Sequence, residues 1–239
     1  MLIALPNADK SFTATLFAPY KGQGGFDAIN ASDIKAIMAY FDQYFPEVAP
    51  LMPQLASDFQ QNPVGSLVTI RVSPWNIGRV VLIGDAAHAV VPFYGQGMNA
   101  AFEDCLQLYS TLREDQRLGV PLENTLCSFS SARSLATNTL ADLCLEHYHD
   151  MASNTMSSLY LLRKKLEAFL HFLFPASFTP LYSMVVFSLI PYDRAVAKAK
   201  AQDVVISRVM KVSAILLTAL MGLFTANLLR GRNSFLASR

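Results

Sequence analysis

The run Gly95-Gln96-Gly97-Met98-Asn99-Ala100 places two residues without a Cβ at the start of a segment with helical composition. Such a run lets backbone approach a ligand closely at a helix amino terminus, where open N–H groups and the helix dipole favour negative charge. Its written form, G-x-G-x-x-A, coincides with the dinucleotide fingerprint. However, the loop Pro92-Phe93-Tyr94 precedes it in place of a strand, and no βαβ unit with a terminal acidic residue follows. Upstream, Asp85 follows a compact apolar run and has no cationic neighbour in sequence. Its carboxylate could cap the following turn or accept hydrogen bonds from a ligand's hydroxyls.

A second polar group is Glu146, His147, His149 and Asp150. His147 and Asp150, three apart, share one helical face. His147 and His149 point about 200° apart on a helix and cannot share an ion, so no metal centre is expected. Cys105, Cys127 and Cys144 are odd in number, widely spaced and without a CxxC pair, which suggests neither a disulfide framework nor a zinc site. His88 reads as a residue that holds a turn, Glu103 and Asp104 as groups that cap or solvate a helix, and Lys164 and Lys165 as a solvated face.

The elements that must position these residues follow from periodicity. Leu2–Leu5 and the alternating Ser11–Phe17 predict a hairpin around the turn 7–10. Ile34, Ile37, Met38, Phe41 and Phe45 recur at helical spacing, predicting an amphipathic helix over 32–45, capped by Ser32 and stopped by Pro46. A short helix to about Gln61 and a strand over 64–72 come next. The run 79–83 predicts a buried strand that ends in the turn carrying Asp85. A helix is expected over 97–113 and a largely helical stretch over 121–171. The uncharged segment 172–190 contains Pro175 and Pro180, which favours helices packed on the body over a membrane crossing.

The chain has 239 residues, 52% hydrophobic and only 15% charged, with a net charge of +1. That excludes a disordered chain. The near-neutrality is a sum of opposites, −5 over residues 1–197 and +6 over 198–239. Within the basic tail, 212–229 is free of charge and flanked by Arg208, Lys211, Arg230 and Arg232. As a helix it would be about 27 Å long, the length of a transmembrane anchor. Membrane attachment therefore accounts for the basic tail, and no nucleic-acid partner is expected. A strand that begins at Met1 without a lead-in predicts that the sequence is part of a longer protein.

Residues 79–104, from Arg79 through Gly84-Asp85-Ala86-Ala87-His88 to Phe102-Glu103-Asp104, resemble the second flavin-binding motif of the aromatic-ring hydroxylases, the single-component FAD monooxygenases. The resemblance implies that Asp85 binds the ribityl chain of FAD. It places the backbone of Gly97, Met98 and Asn99 against the pyrimidine edge of the ring, and Pro92 and Gly95 beside the point where oxygen reacts. Within the family the chain is similar to the members that hydroxylate L-kynurenine with NADPH and molecular oxygen. That similarity rests on residues 3–7, 10–13, 92–100, 102–105 and 175–186. Phe12, Phe93 and Tyr94 are then expected in the pocket wall, and Tyr182 at the substrate's amino-acid end. His147 and Asp150 stand where the family presents Asn and Glu, which leaves open a related aryl substrate.

The implied fold is an α+β fragment of the FAD-dependent aromatic hydroxylase fold. Residues 1–72 would form part of the substrate-domain sheet and helices, 73–113 the second FAD motif and its helix, 114–197 a helical region over the substrate pocket, and 198–239 the basic tail with its transmembrane helix. The family's Gly-rich ADP-binding half has no counterpart in the sequence, so the chain looks like a carboxy-terminal portion that needs that half. The implied location is the outer mitochondrial membrane, with the body facing the cytosol. The opposing expectation is an inactive tail-anchored remnant or interaction protein.

Overall fold

A computed structural model describes residues 1–152 and 158–237, with side chains except at 159, 214, 217, 219, 220 and 222–237. It is a mixed, mainly helical chain with two small antiparallel sheets. Contacts divide it into two compact units, Met1–Leu67 and Val68–Arg239.

In the first unit, β1 (Leu2–Pro6) pairs with β2 (Phe12–Leu16) in the expected hairpin, with Ala4 opposite Ala14. Helix α1 (Ile34–Tyr44) buries Ile37, Tyr40 and Phe41. These pack with Leu55 of α2 (Leu55–Gln61), Ala49 and Ile29. The cap of α1 is Asp33 and not Ser32: the Asp33 carboxylate accepts the Lys35 N–H at 2.9 Å. Asp33→Ala should cost about 1 kcal/mol in thermal unfolding of this unit, the usual value of an N-cap side chain.

After α2, the expected strands are mostly not laddered. Over 64–72 no strand forms; Ile70 and Val72 donate their N–H groups to the Ala89 and Ala87 carbonyls at 2.8 and 3.1 Å, which ties the segment to a turn. The expected buried strand 79–83 shortens to β4 (Val80–Val81), paired with β3 (Asn76–Ile77). It is not buried, since Val80 is 69% exposed. An apolar run specifies that a strand wants cover; its neighbours decide whether it has any.

The short α3 (Asp85–His88) leads through a 3₁₀ turn at Pro92–Tyr94 into α4 (Gly97–Leu118), which runs beyond the expected end at 113. The helical stretch expected over 121–171 resolves into α5 (Leu122–Ala152) and α6 (Ser158–Leu173), and residues 153–157 lie outside the described residues. Leu126, Phe129, Arg133, Ala136, Leu140 and Cys144 recur at three- and four-residue steps and form the buried face of α5. Met184 and Val185 of α7 (Leu181–Phe187) join Leu140, Cys144 and Tyr94 in the main core, as do Tyr192 and Ala195. Tyr192 opens the 46-residue α8 (Tyr192–Ala237).

The expected tail helix is thus the end of α8 and not a separate element. Among the described residues no helix is long and apolar enough to cross a membrane. Most side chains of the expected span 212–229 fall outside those residues.

Candidate functional site

The turn before α3 depends on Gly84, whose φ of +60° and ψ of −145° are closed to residues with a Cβ. A Cβ built there would also lie 3.3 Å from the Ala101 Cβ of α4. Asp85 follows as the first residue of α3. Its side chain is exposed and caps nothing, and no hydrogen-bond partner for it exists among the described residues. The capping role open to it in sequence is therefore not the one it takes.

Gly95, at φ +66°, turns the chain from the 92–94 segment into α4. The N–H groups of Gly97, Met98 and Asn99 are the first three of that helix and have no acceptor among the described residues. The buried Gln96 accepts a hydrogen bond from Asn99 Nδ2 at 3.0 Å, which orients the Asn99 side chain across the helix start. A partnerless carboxylate, a close backbone approach and open helix N–H groups suit the polyhydroxyl chain and the electron-rich ring edge of a flavin. Pro92 is exposed on the adjoining turn.

Tyr94, buried, lies 4.7 Å from the His147 ring and stacks 5.6 Å from Tyr182, while His147 and Tyr182 are 5.8 Å apart. Three residues expected at the substrate thus form one ring cluster. Phe93 packs at 4.7 Å on Tyr148. Burial holds the Tyr94 phenol far above its ordinary range, with Cys144 and Tyr182 adding to the effect. Burial also lowers His147, against the opposing pull of Asp150, which favours the neutral imidazole. The Cys144 thiol beneath is pushed up to about 11 by burial, so it is a core residue and not a nucleophile.

Asp150 accepts from the Tyr160 hydroxyl at 3.4 Å and, with Arg163 and Asp203, lines a cavity of about 350 Å³. Phe12 is on β2 in the first unit and is exposed.

Two residues were not expected here. Asp104 does not solvate its helix. It is fully buried and accepts from the Gly84 N–H, His88 Nε2 and Arg133 Nε. His88 does hold the turn, through Asp104. Burial works to raise the Asp104 carboxyl, but His88, the Gly84 N–H and Arg133 together hold it below the usual carboxylate range. The available signal for Arg133 was its step on the apolar face of α5, four after Phe129 and three before Ala136.

Residues 54–141 match the family model described as FAD binding domain. That stretch carries Gly84, Asp85 and the Gly95–Ala100 run. The chain is 38% identical over 213 residues to the kynurenine 3-monooxygenase of Flavobacterium psychrophilum, covering 89% of this chain and 46% of that protein. The Dictyostelium discoideum and Salinispora tropica kynurenine 3-monooxygenases are 37% and 42% identical, over 88% and 85% of this chain and 48% and 44% of theirs. The chain is a homologue of the kynurenine 3-monooxygenases and spans about half the length of these curated relatives.

Proposed function

We propose that the chain is part of an FAD-dependent, NADPH-using monooxygenase that converts L-kynurenine to 3-hydroxykynurenine. One atom of dioxygen enters the ring C–H bond beside the aromatic amine, the other leaves as water, and NADPH supplies two electrons. The flavin provides the redox and oxygen chemistry. The chain's residues provide position and exclusion of water. Asp85 would accept from the ribityl hydroxyls, and the N–H groups of Gly97, Met98 and Asn99 would hold the pyrimidine edge, where the start of α4 favours negative charge. Pro92 and Gly95 would lie beside the flavin ring. Phe93, Tyr94, His147, Asp150 and Tyr182 would line the substrate's place in the second unit. The supporting observation is that, among the described residues, the Asp85 carboxylate and the three N–H groups at the start of α4 have no partner.

The test is to purify the chain alone and fused to the part of the Flavobacterium psychrophilum enzyme that the match leaves uncovered. Flavin absorbance, kynurenine-dependent NADPH oxidation and the hydroxylated product are then measured. A fused protein without flavin overturns the reading. NADPH oxidation stimulated by another aromatic amine and not by kynurenine shifts it to a sister hydroxylase, the second reading, which the presence of His147 beside Tyr94 and Tyr182, in place of the family's Asn, favours.

Asp85→Ala should weaken FAD binding by about 10- to 100-fold, the loss of one or two hydrogen bonds to a charged group, with thermal stability nearly unchanged. A flavin fluorescence titration beside a melting curve checks both halves of that expectation.

We also infer that the tail anchors the protein in the outer mitochondrial membrane with its body in the cytosol. The support is the charge-free 212–229 run with basic flanks, and the exposed Val212, Ile215, Leu216 and Met221. Alkaline extraction of isolated mitochondria would release the protein if that is wrong.

A further inference from the structure

Next to the residues assigned to the flavin, two buried side chains, Asp104 and Arg133, each make three hydrogen bonds. Asp104 Oδ2 accepts from the Gly84 N–H at 2.9 Å and from His88 Nε2 at 2.5 Å, and Oδ1 accepts from Arg133 Nε at 2.8 Å. Arg133 continues the network, donating through Nη2 to the Ala100 carbonyl and through Nη1 to Glu103, each at 3.1 Å. His88 stacks on Trp75 at 5.0 Å, and the Trp75 N–H donates to Ser130 Oγ on α5 at 2.8 Å. His88, Asp104 and Arg133 are at most 3% exposed.

One carboxylate–guanidinium pair therefore holds two backbone points at once. Gly84 is the residue before Asp85, and Ala100 is the residue after Asn99. A buried ion pair is a weak source of net stability, because well-packed apolar groups of the same volume often do as well or better. What it supplies is direction. Apolar packing would bring the 84–88 turn and α4 together, yet would leave the rotation of α4 and the orientation of the Gly84 peptide loosely set. The fork of Arg133 and the two oxygens of Asp104 fix both.

We propose that Asp104, with Arg133 and His88, is a positioning group that sets the Asp85 carboxylate and the N–H groups of Gly97–Asn99 in the one register where both grip the same flavin. The proposal rests on the flavin reading above. None of the three residues needs to touch the flavin. Their effect passes through the turn at Gly84 and the first turn of α4.

The experiment compares the fused protein described above with its Arg133→Lys and Met184→Ala variants. Lysine keeps a positive charge beside Asp104 but cannot bond Asp104 and the Ala100 carbonyl in one plane. Met184→Ala opens the main core with the network intact. If lysine prevents folding, His88→Leu replaces it, since it keeps an apolar group on Trp75 and removes one bond to Asp104.

Hydrogen exchange is followed in peptides covering 84–88 and 97–101, together with FAD affinity and the visible circular dichroism of bound flavin. Arg133→Lys is expected to speed exchange in both segments together, weaken FAD about tenfold and alter the flavin dichroism. Met184→Ala is expected to lower the melting temperature while leaving FAD affinity within about twofold. Faster exchange in only one segment overturns the proposal, as does a loss of FAD affinity that tracks lost stability equally in both variants. Coupled exchange in a wild-type fused protein that binds no FAD overturns the flavin reading beneath it, so the two failures are told apart.

Discussion

Asp104→Asn should lower the unfolding free energy by about 3–5 kcal/mol, the cost of leaving a buried charge without its partner. The Arg133 guanidinium would then face a neutral amide. Glu103 would remain near it at 3.1 Å, but that carboxylate is partly solvated and contacts one nitrogen only. Urea unfolding followed by far-ultraviolet circular dichroism measures the loss.

The same substitution should change the acid limb of stability. In the folded chain the Asp104 carboxyl is held below its ordinary range. Its contribution is therefore complete above the unfolded carboxyl's value of about 3.9 and is lost as pH falls below that value toward the folded one. The wild-type chain should lose stability over this window more steeply than Asp104→Asn. Equal slopes would show that other carboxylates govern acid unfolding.

The second large effect is expected at Leu140. It is fully buried on α5, in the core that carries Tyr94, Cys144 and Met184. Leu140→Ala should cost about 2–5 kcal/mol, the transfer cost of the lost methyl groups plus a cavity that rigid helices fill only in part. Leu140→Met, which nearly conserves volume, should cost less than about 1.5 kcal/mol. Because Tyr94 joins this core to the ring cluster, the alanine variant should also loosen the Tyr94–His147–Tyr182 stack. Near-ultraviolet circular dichroism of the tyrosines reports it.

What could be read in advance divides along physical lines. The hairpin at 2–16 and helix α1 were legible because their patterns are local: alternation around a turn, and an apolar stripe at helical spacing. The Gly95–Ala100 run was legible for the same reason, since glycine, an aromatic loop and a helix start imply a backbone surface open to a ligand. Strand 79–83 was misjudged because its hydrophobicity specifies a preference for cover, while only β3 pairs with it over two residues. Asp104 and Arg133 were hidden by a different cause. A charged residue in a helix looks solvated until its partner, 29 positions away, is placed beside it. The spacing of Arg133 on the α5 face was the one trace of that pairing in sequence.

Trp75 is the chain's single tryptophan, buried and stacked on His88. Its emission is therefore a built-in optical gauge of the Asp104 network. While the network is closed, the indole is shielded and emits at short wavelength. Opening it admits water to that one ring and shifts the spectrum to the red, so each variant can be read without a label.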